Sequence, residues 1–213
     1  MFEVNPDSDA LQKPVLIFDF GGVLLDWDPR NLYRKYFPHD PAAMERFLAE
    51  INFFDWNFQQ DKGRSFAEGV AELSGRFPER AALIRAYDQE WEESIRGPIQ
   101  PTVDVLNPLK HNGYSLYGLT NWSAEKFELV AHKFDFFNIF DYILVSGVVR
   151  LAKPDPRIFT LLLERIGRPA SECVLIDDSA VNIEAARQLG FKTIHFVSAS
   201  QMLAELAQLF AHS

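Results

Sequence analysis

The chain has 213 residues, 47% of them hydrophobic and 24% charged, enough for one large domain or for a domain carrying a sizeable insertion. Its net charge of −9, without any Lys/Arg cluster, argues against nucleic acid or an anionic membrane as a partner. The lone cysteine, Cys173, excludes an internal disulfide and reads as a small buried hydrophobe. The first fourteen residues are acidic and lack the basic and apolar stretches of a signal peptide, and no apolar run reaches the roughly 20 residues that span a bilayer. The expectation is a cytoplasmic protein, monomeric or homodimeric.

In chain order, a strand is predicted from Val15 ("VLIFDF"), followed by helical segments over 31–37, 41–51, 65–76 and 79–94, with no convincing strand between residues 29 and 95. Strands then follow from Tyr114 ("YSLYGLT"), Tyr142 ("YILVSG"), Cys173 ("CVLIDD") and Lys192 ("KTIHFV"). They alternate with helices over 124–134, 156–166 and 180–189, and a last helix covers 200–210. Gly167 and Gly190 supply stop signals. This alternation implies α/β architecture, a Rossmann-like doubly wound parallel sheet covered on both faces. The helical stretch is too long for one crossover and reads as an inserted cap domain, 26–97, in a core made of 1–25 and 98–213, with hinges near 26–29 and 97–101.

In open α/β sheets, ligands bind at the carboxyl ends of the strands. The first predicted strand presents Asp19 there, the second Thr120 and Asn121, and the fourth Asp177 and Asp178. Lys153 follows the third. Each residue alone has an ordinary explanation as a turn, cap or loop residue, but together they form a pattern. Clustered carboxylates stay ionised only beside a cation, and an all-oxygen ligand set suits Mg²⁺. With metal on one side and Lys153 on the other, a phosphate could approach Asp19 as nucleophile, with Thr120 and backbone N–H groups on its remaining oxygens.

The stretches "FDFGGVL", "LTNW", "AKPDP" and "LIDDSAVN", in this order, resemble the haloacid dehalogenase-like hydrolase superfamily, and the insertion after the first motif resembles its type 1 helical cap. The resemblance implies a magnesium-dependent phosphatase acting on a small phosphomonoester through an aspartyl-phosphate. Asp19 would be the nucleophile, Thr120 the phosphate-binding hydroxyl with Asn121 beside it, and Lys153 the charge clamp. The metal would be held by Asp19, the Gly21 carbonyl and Asp178, with Asp177 in support.

Phosphatases of this superfamily typically carry a general acid two residues after the nucleophile, where this chain has Gly21. The loss implies slow turnover, a good leaving group such as a sugar 1-phosphate, or a substitute acid such as Asp26 or Asp28. Family members with a DxG first motif that act on sugar 1-phosphates resemble the chain here. Two alternatives stay open: a metal-free 2-haloacid dehalogenase, against which the Asp177–Asp178 pair argues, and a catalytically weak phosphometabolite-binding protein. Phe53, Phe54, Trp56, Phe58 and Phe66 read chiefly as cap core, with some lining the cleft. Lys62 and Arg64 read as solvated, and the five histidines show no metal-ligand spacing.

Overall fold

A run such as "VLIF" packs apolar side chains on both sides of an extended backbone, which suits a strand buried on two faces. The computed structural model, which describes residues 13–211, places it at the centre of a sheet. The strands are β1 (Val15–Phe18), β2 (Leu25–Trp27), β3 (Ile95–Pro98), β4 (Leu116–Thr120), β5 (Tyr142–Val145), β6 (Cys173–Asp177) and β7 (Lys192–His195). Five of them form a sheet in the order β5-β4-β1-β6-β7, and every pairing is parallel. Most of the acidic N-terminal stretch, and His212, lie outside the described residues. Among those described, no helix is long and apolar enough to cross a membrane.

The side-chain period of two divides the core. Leu16, Phe18, Val174 and Ile176 join one apolar cluster, whereas Val15, Ile17, Cys173 and Leu175 join the other. Between β2 and β3 run α1 (Pro29–Tyr33), α2 (Pro41–Glu50), α3 (Phe53–Asp61), α4 (Phe66–Arg76) and α5 (Ala81–Gln89). Next come α6 (Gln100–Val103) and α7 (Leu106–His111), then α8 (Ala124–Val130) after β4 and the short α9 (Ser146–Val149) after β5. The remaining helices are α10 (Pro156–Ile166), α11 (Ala180–Gln188) and α12 (Ala199–Ala211). Helices α10 and α11 cover one face through Ile158, Phe159, Leu162 and Ile183. On the other face, Leu106, Met202 and Leu206 join a cluster continuous with Tyr33, Phe47, Phe53 and Tyr87 of the insertion.

The structure adds a strand ribbon and a helix to the expected elements and corrects one predicted helix. Both crossings into the insertion are strand-paired: β2 and β3 form an antiparallel ribbon, Leu25 opposite Pro98 and Trp27 opposite Ile95. Strands this short, one of them containing Gly-Pro, leave little pattern. The segment 53–61 is a helix that carries aromatics on several sides and so lacks a clean apolar stripe. The segment 79–94 is interrupted, α5 being flanked by short 3₁₀ turns at Pro78–Arg80 and Trp91–Ser94. Local chemistry fixes several helix ends: Asp28 and Asp40 cap α1 and α2, Ser65 and Glu68 form a capping box on α4, and Gly167 ends α10 at φ 70°.

Candidate active site

The parallel sheet brings the ends of β1, β4, β5 and β6 to one edge. Asp19 follows β1, where its N–H donates to the Ile176 carbonyl at 2.9 Å, tying the two central strands. The Lys153 ammonium is buried at the middle of the site and lies 2.9 Å from Asp19 Oδ2, 2.6 Å from Asp177 Oδ2 and 2.8 Å from the Leu119 carbonyl. Three acceptors thus meet its three N–H bonds.

Asp177 is fully buried and saturated. Besides Lys153 it accepts from the Ser179 N–H at 2.9 Å and from Asn182 Nδ2 at 3.0 and 3.2 Å. Asp178 remains exposed and approaches the Gly22 backbone. A Cβ on Gly22 would lie 2.2 Å from Asp178 Oδ2, and Gly22 has φ +74°, so this close approach requires glycine. One carboxylate oxygen from each of Asp19, Asp177 and Asp178 lies within 4.8 Å of the others.

Electrostatics follow from this crowding. Burial pushes the Asp19 carboxyl up to about 8, Lys153 opposing the shift and Asp177 and Asp178 reinforcing it. Asp178, open to solvent on one side, is raised by partial desolvation against the cleft and by Asp177. Burial would lower the Lys153 ammonium, but Asp177 and Asp19 outweigh it and hold the charge. Three carboxylates therefore face one ammonium, leaving an excess that matches a divalent cation. The donors are oxygens only, the ligand type that Mg²⁺ takes. The residues present fit such an ion: Asp19 and Asp178 have carboxylate capacity that Asp177 lacks.

Thr120 is buried at the end of β4. The Asn121 amide is committed to the Lys153 main chain, accepting from its N–H and donating to its carbonyl, both at 2.8 Å. Asn121 thus fixes the loop that carries Lys153. A cleft of about 540 Å³ opens over Asp19, Gly21, Lys153 and Asp178 and is closed by Phe54, Phe58 and Asp61 of α3. The spacing 54, 58, 61 places these three on one helix face, while Phe53 and Trp56 are buried in the insertion. A narrower recess of about 60 Å³ adjoins it, lined by Gly21, Thr120, Asn121, Asp61, Trp27, Trp91 and Trp122 among others.

The proposed substitute acids do not reach the site. Asp26 lies 3.7 Å from Arg96, and Asp28 caps α1 and bonds Arg30, both outside the cleft lining. Lys62 is exposed, and Arg64 is bound within the insertion to Gln60, Trp56 and Glu72. Sequence reasoning missed Asn182, which holds Asp177, and Asp61. The first stands inside "DDSAVN"; the second belongs to no motif, and its helix has no clean apolar stripe to read.

A family model described as haloacid dehalogenase-like hydrolase matches residues 14–190. Sesquiterpene phosphatase astK of Aspergillus oryzae is 26% identical over 91% of this chain and 94% of its own, and fructose-1-phosphate phosphatase YqaB of Escherichia coli is 25% identical over 84% and 94%. Drimenol cyclase drtB of Aspergillus calidoustus is 26% identical over 92% of the chain, which spans only 36% of that longer protein. The HAD family enzyme bt-2542 of Bacteroides thetaiotaomicron, solved with magnesium and inorganic phosphate, superposes with a TM-score of 0.67 at 25% identity, covering 87% of this chain and 95% of that one. With the motifs converging on one sheet edge and the model match spanning most of the sequence, the chain belongs to the haloacid dehalogenase-like hydrolases.

Proposed function

We propose that the protein is a magnesium-dependent phosphatase of small phosphomonoesters. The observation that carries this reading is the group of three carboxylates around a single buried ammonium, Asp19, Asp177 and Asp178 about Lys153. Two phosphatase relatives, and a neighbour of known structure that holds magnesium and phosphate, support it. A metal-free dehalogenase would have to keep the same carboxylates together uncompensated, which the charge argument disfavours.

In this reading the core, 1–25 and 98–213, supplies the chemistry, and the cap, 26–97, supplies the opposite wall. Asp19 Oδ attacks phosphorus in line, and the bond to the leaving oxygen breaks. Lys153 holds Asp19 and offsets developing negative charge, and the Thr120 hydroxyl donates to a phosphoryl oxygen. Asp19, the Gly21 carbonyl and Asp178 would hold Mg²⁺, which supplies charge neutralisation when bound. Water then releases phosphate from Asp19. The tryptophan-lined recess suits a substrate with a flat or apolar face, a requirement that the rings of sugar phosphates meet.

The test is phosphate release from aryl and sugar 1-phosphates, with Mg²⁺ or EDTA, in wild type and Asp19→Asn. Release that needs both Mg²⁺ and Asp19 is expected. Halide release from 2-chloropropionate in EDTA, without phosphate release, would sink the reading.

A further inference from the structure

Gly21 leaves the site without an acid beside the nucleophile, yet nothing in the backbone requires glycine there. A Cβ at Gly21 would meet no atom within 4 Å, and Gly21 is not among the positive-φ residues. The space in front of it is open. The cleft and the recess share that space, and Asp61 lines both.

Asp61 ends α3, where the helix dipole disfavours a negative charge. Among the described residues it forms no ion pair, and the charge that acts on it is that of Asp19. Its carboxyl accepts from the Ser123 N–H and, at 3.1 Å, from Asn57 Nδ2. The Asn57 amide is itself oriented: Trp91 Nε1, a donor only, gives its hydrogen to Tyr87 Oη at 3.1 Å, and Tyr87 donates to Asn57 Oδ1 at 3.1 Å. The NH₂ group is therefore left to face Asp61. On the core side, Ser146 Oγ donates to the Asp61 carbonyl at 2.5 Å, so the end of α3 is pinned to the sheet edge. Among the described residues, the titratable groups acting on Asp61 are Asp19 across the cleft and Tyr87 behind Asn57, and neither supplies positive charge.

On the phosphatase reading above, we infer that Asp61, reaching over from the cap, is the acid–base residue that replaces the carboxyl missing at Gly21. Burial holds its carboxyl well above the usual carboxylate range, with Asp19 adding to the effect, which favours the protonated form that a general acid must have. As Asp19 Oδ bonds to phosphorus and the bond to the leaving oxygen breaks, that oxygen takes the Asp61 proton. The resulting Asp61 carboxylate then accepts a proton from water as the water oxygen bonds to phosphorus. The Asp19–phosphorus bond breaks, and Asp19 leaves as carboxylate. Phosphate departs, and Asp61 is protonated again.

The test uses Mg²⁺-loaded protein and a series of aryl and alkyl phosphates of rising leaving-group pKa. Wild type should show shallow leaving-group dependence and an alkaline fall in kcat/KM. In Asp61→Asn, turnover of alkyl phosphates should drop about 10²-fold or more. With 2,4-dinitrophenyl phosphate the variant should release a burst of 2,4-dinitrophenolate and accumulate phosphoenzyme, and the alkaline fall should vanish. An equal loss for every leaving group, without a burst, would overturn the inference while leaving the phosphatase reading intact. Absence of Asp19-dependent phosphate release from the whole series would remove both. Should Asp61→Asn not fold, Gly21→Asp decides: an unchanged leaving-group slope supports Asp61 as the resident acid, and a marked flattening shows that the site had none.

Discussion

Lys153 and Asp177 face each other 2.6 Å apart with both side chains wholly shielded from water. Removing one partner strands the other. Lys153→Met and Asp177→Leu should each cost about 3–5 kcal/mol in urea unfolding, whereas the double variant should cost less than their sum. Additive losses would show that the pair is not coupled.

Asp19 makes a different kind of contribution. Its native carboxyl is raised from 3.8 to about 8, so folding takes up a proton there. Its effect on stability is most favourable below pH 3.8 and is lost as pH climbs towards about 8. Without metal, the melting temperature should fall over that window, and less so in Asp19→Asn, which should also lose turnover. A parallel pH dependence in the two proteins would refute this account.

Mg²⁺ and the proton compete for the same carboxylate oxygens. The rise in melting temperature on adding Mg²⁺ should therefore be larger at pH 8 than at pH 6. A shift of equal size at both would place the ion elsewhere.

The neighbouring glycines should respond differently. Gly22→Ala drives a Cβ into the Asp178 carboxylate at a residue with φ +74°, and about 1–3 kcal/mol of stability should go, together with Mg²⁺ affinity. Gly21→Ala meets open space and should fold as wild type does. Thermal melts with and without Mg²⁺ check both.

Asn121→Ala removes both bonds to the Lys153 main chain. A loss of about 1–3 kcal/mol is expected from the orphaned amide groups, with kcat reduced more than KM is changed. Denaturation and steady-state kinetics on one aryl phosphate measure the two effects.

Much of this was written locally. "VLIF", "LYGLT" and "CVLID" are strands because β-forming apolar residues run between turn signals, and the polar residue closing each run falls at the sheet edge by topology alone. Asp19, Thr120 and Asp178 were legible for that reason, and Lys153 as the cation on the loop that follows β5. The β2–β3 ribbon and α3 were not: three- and four-residue strands carry too little pattern, and the aromatics of 53–61 point several ways round the helix.

The sequence by itself determined the parallel α/β sheet, the helical insertion and the residues at the strand ends, because strand period and connection order depend on near neighbours. Only the tertiary structure decided which carboxyl stands opposite Gly21. Asp61 is 42 positions from Asp19 along the chain, and their shared cleft exists because α3 is packed against the sheet edge through Ser146 and Ser123. Contacts of that range leave no periodicity to read.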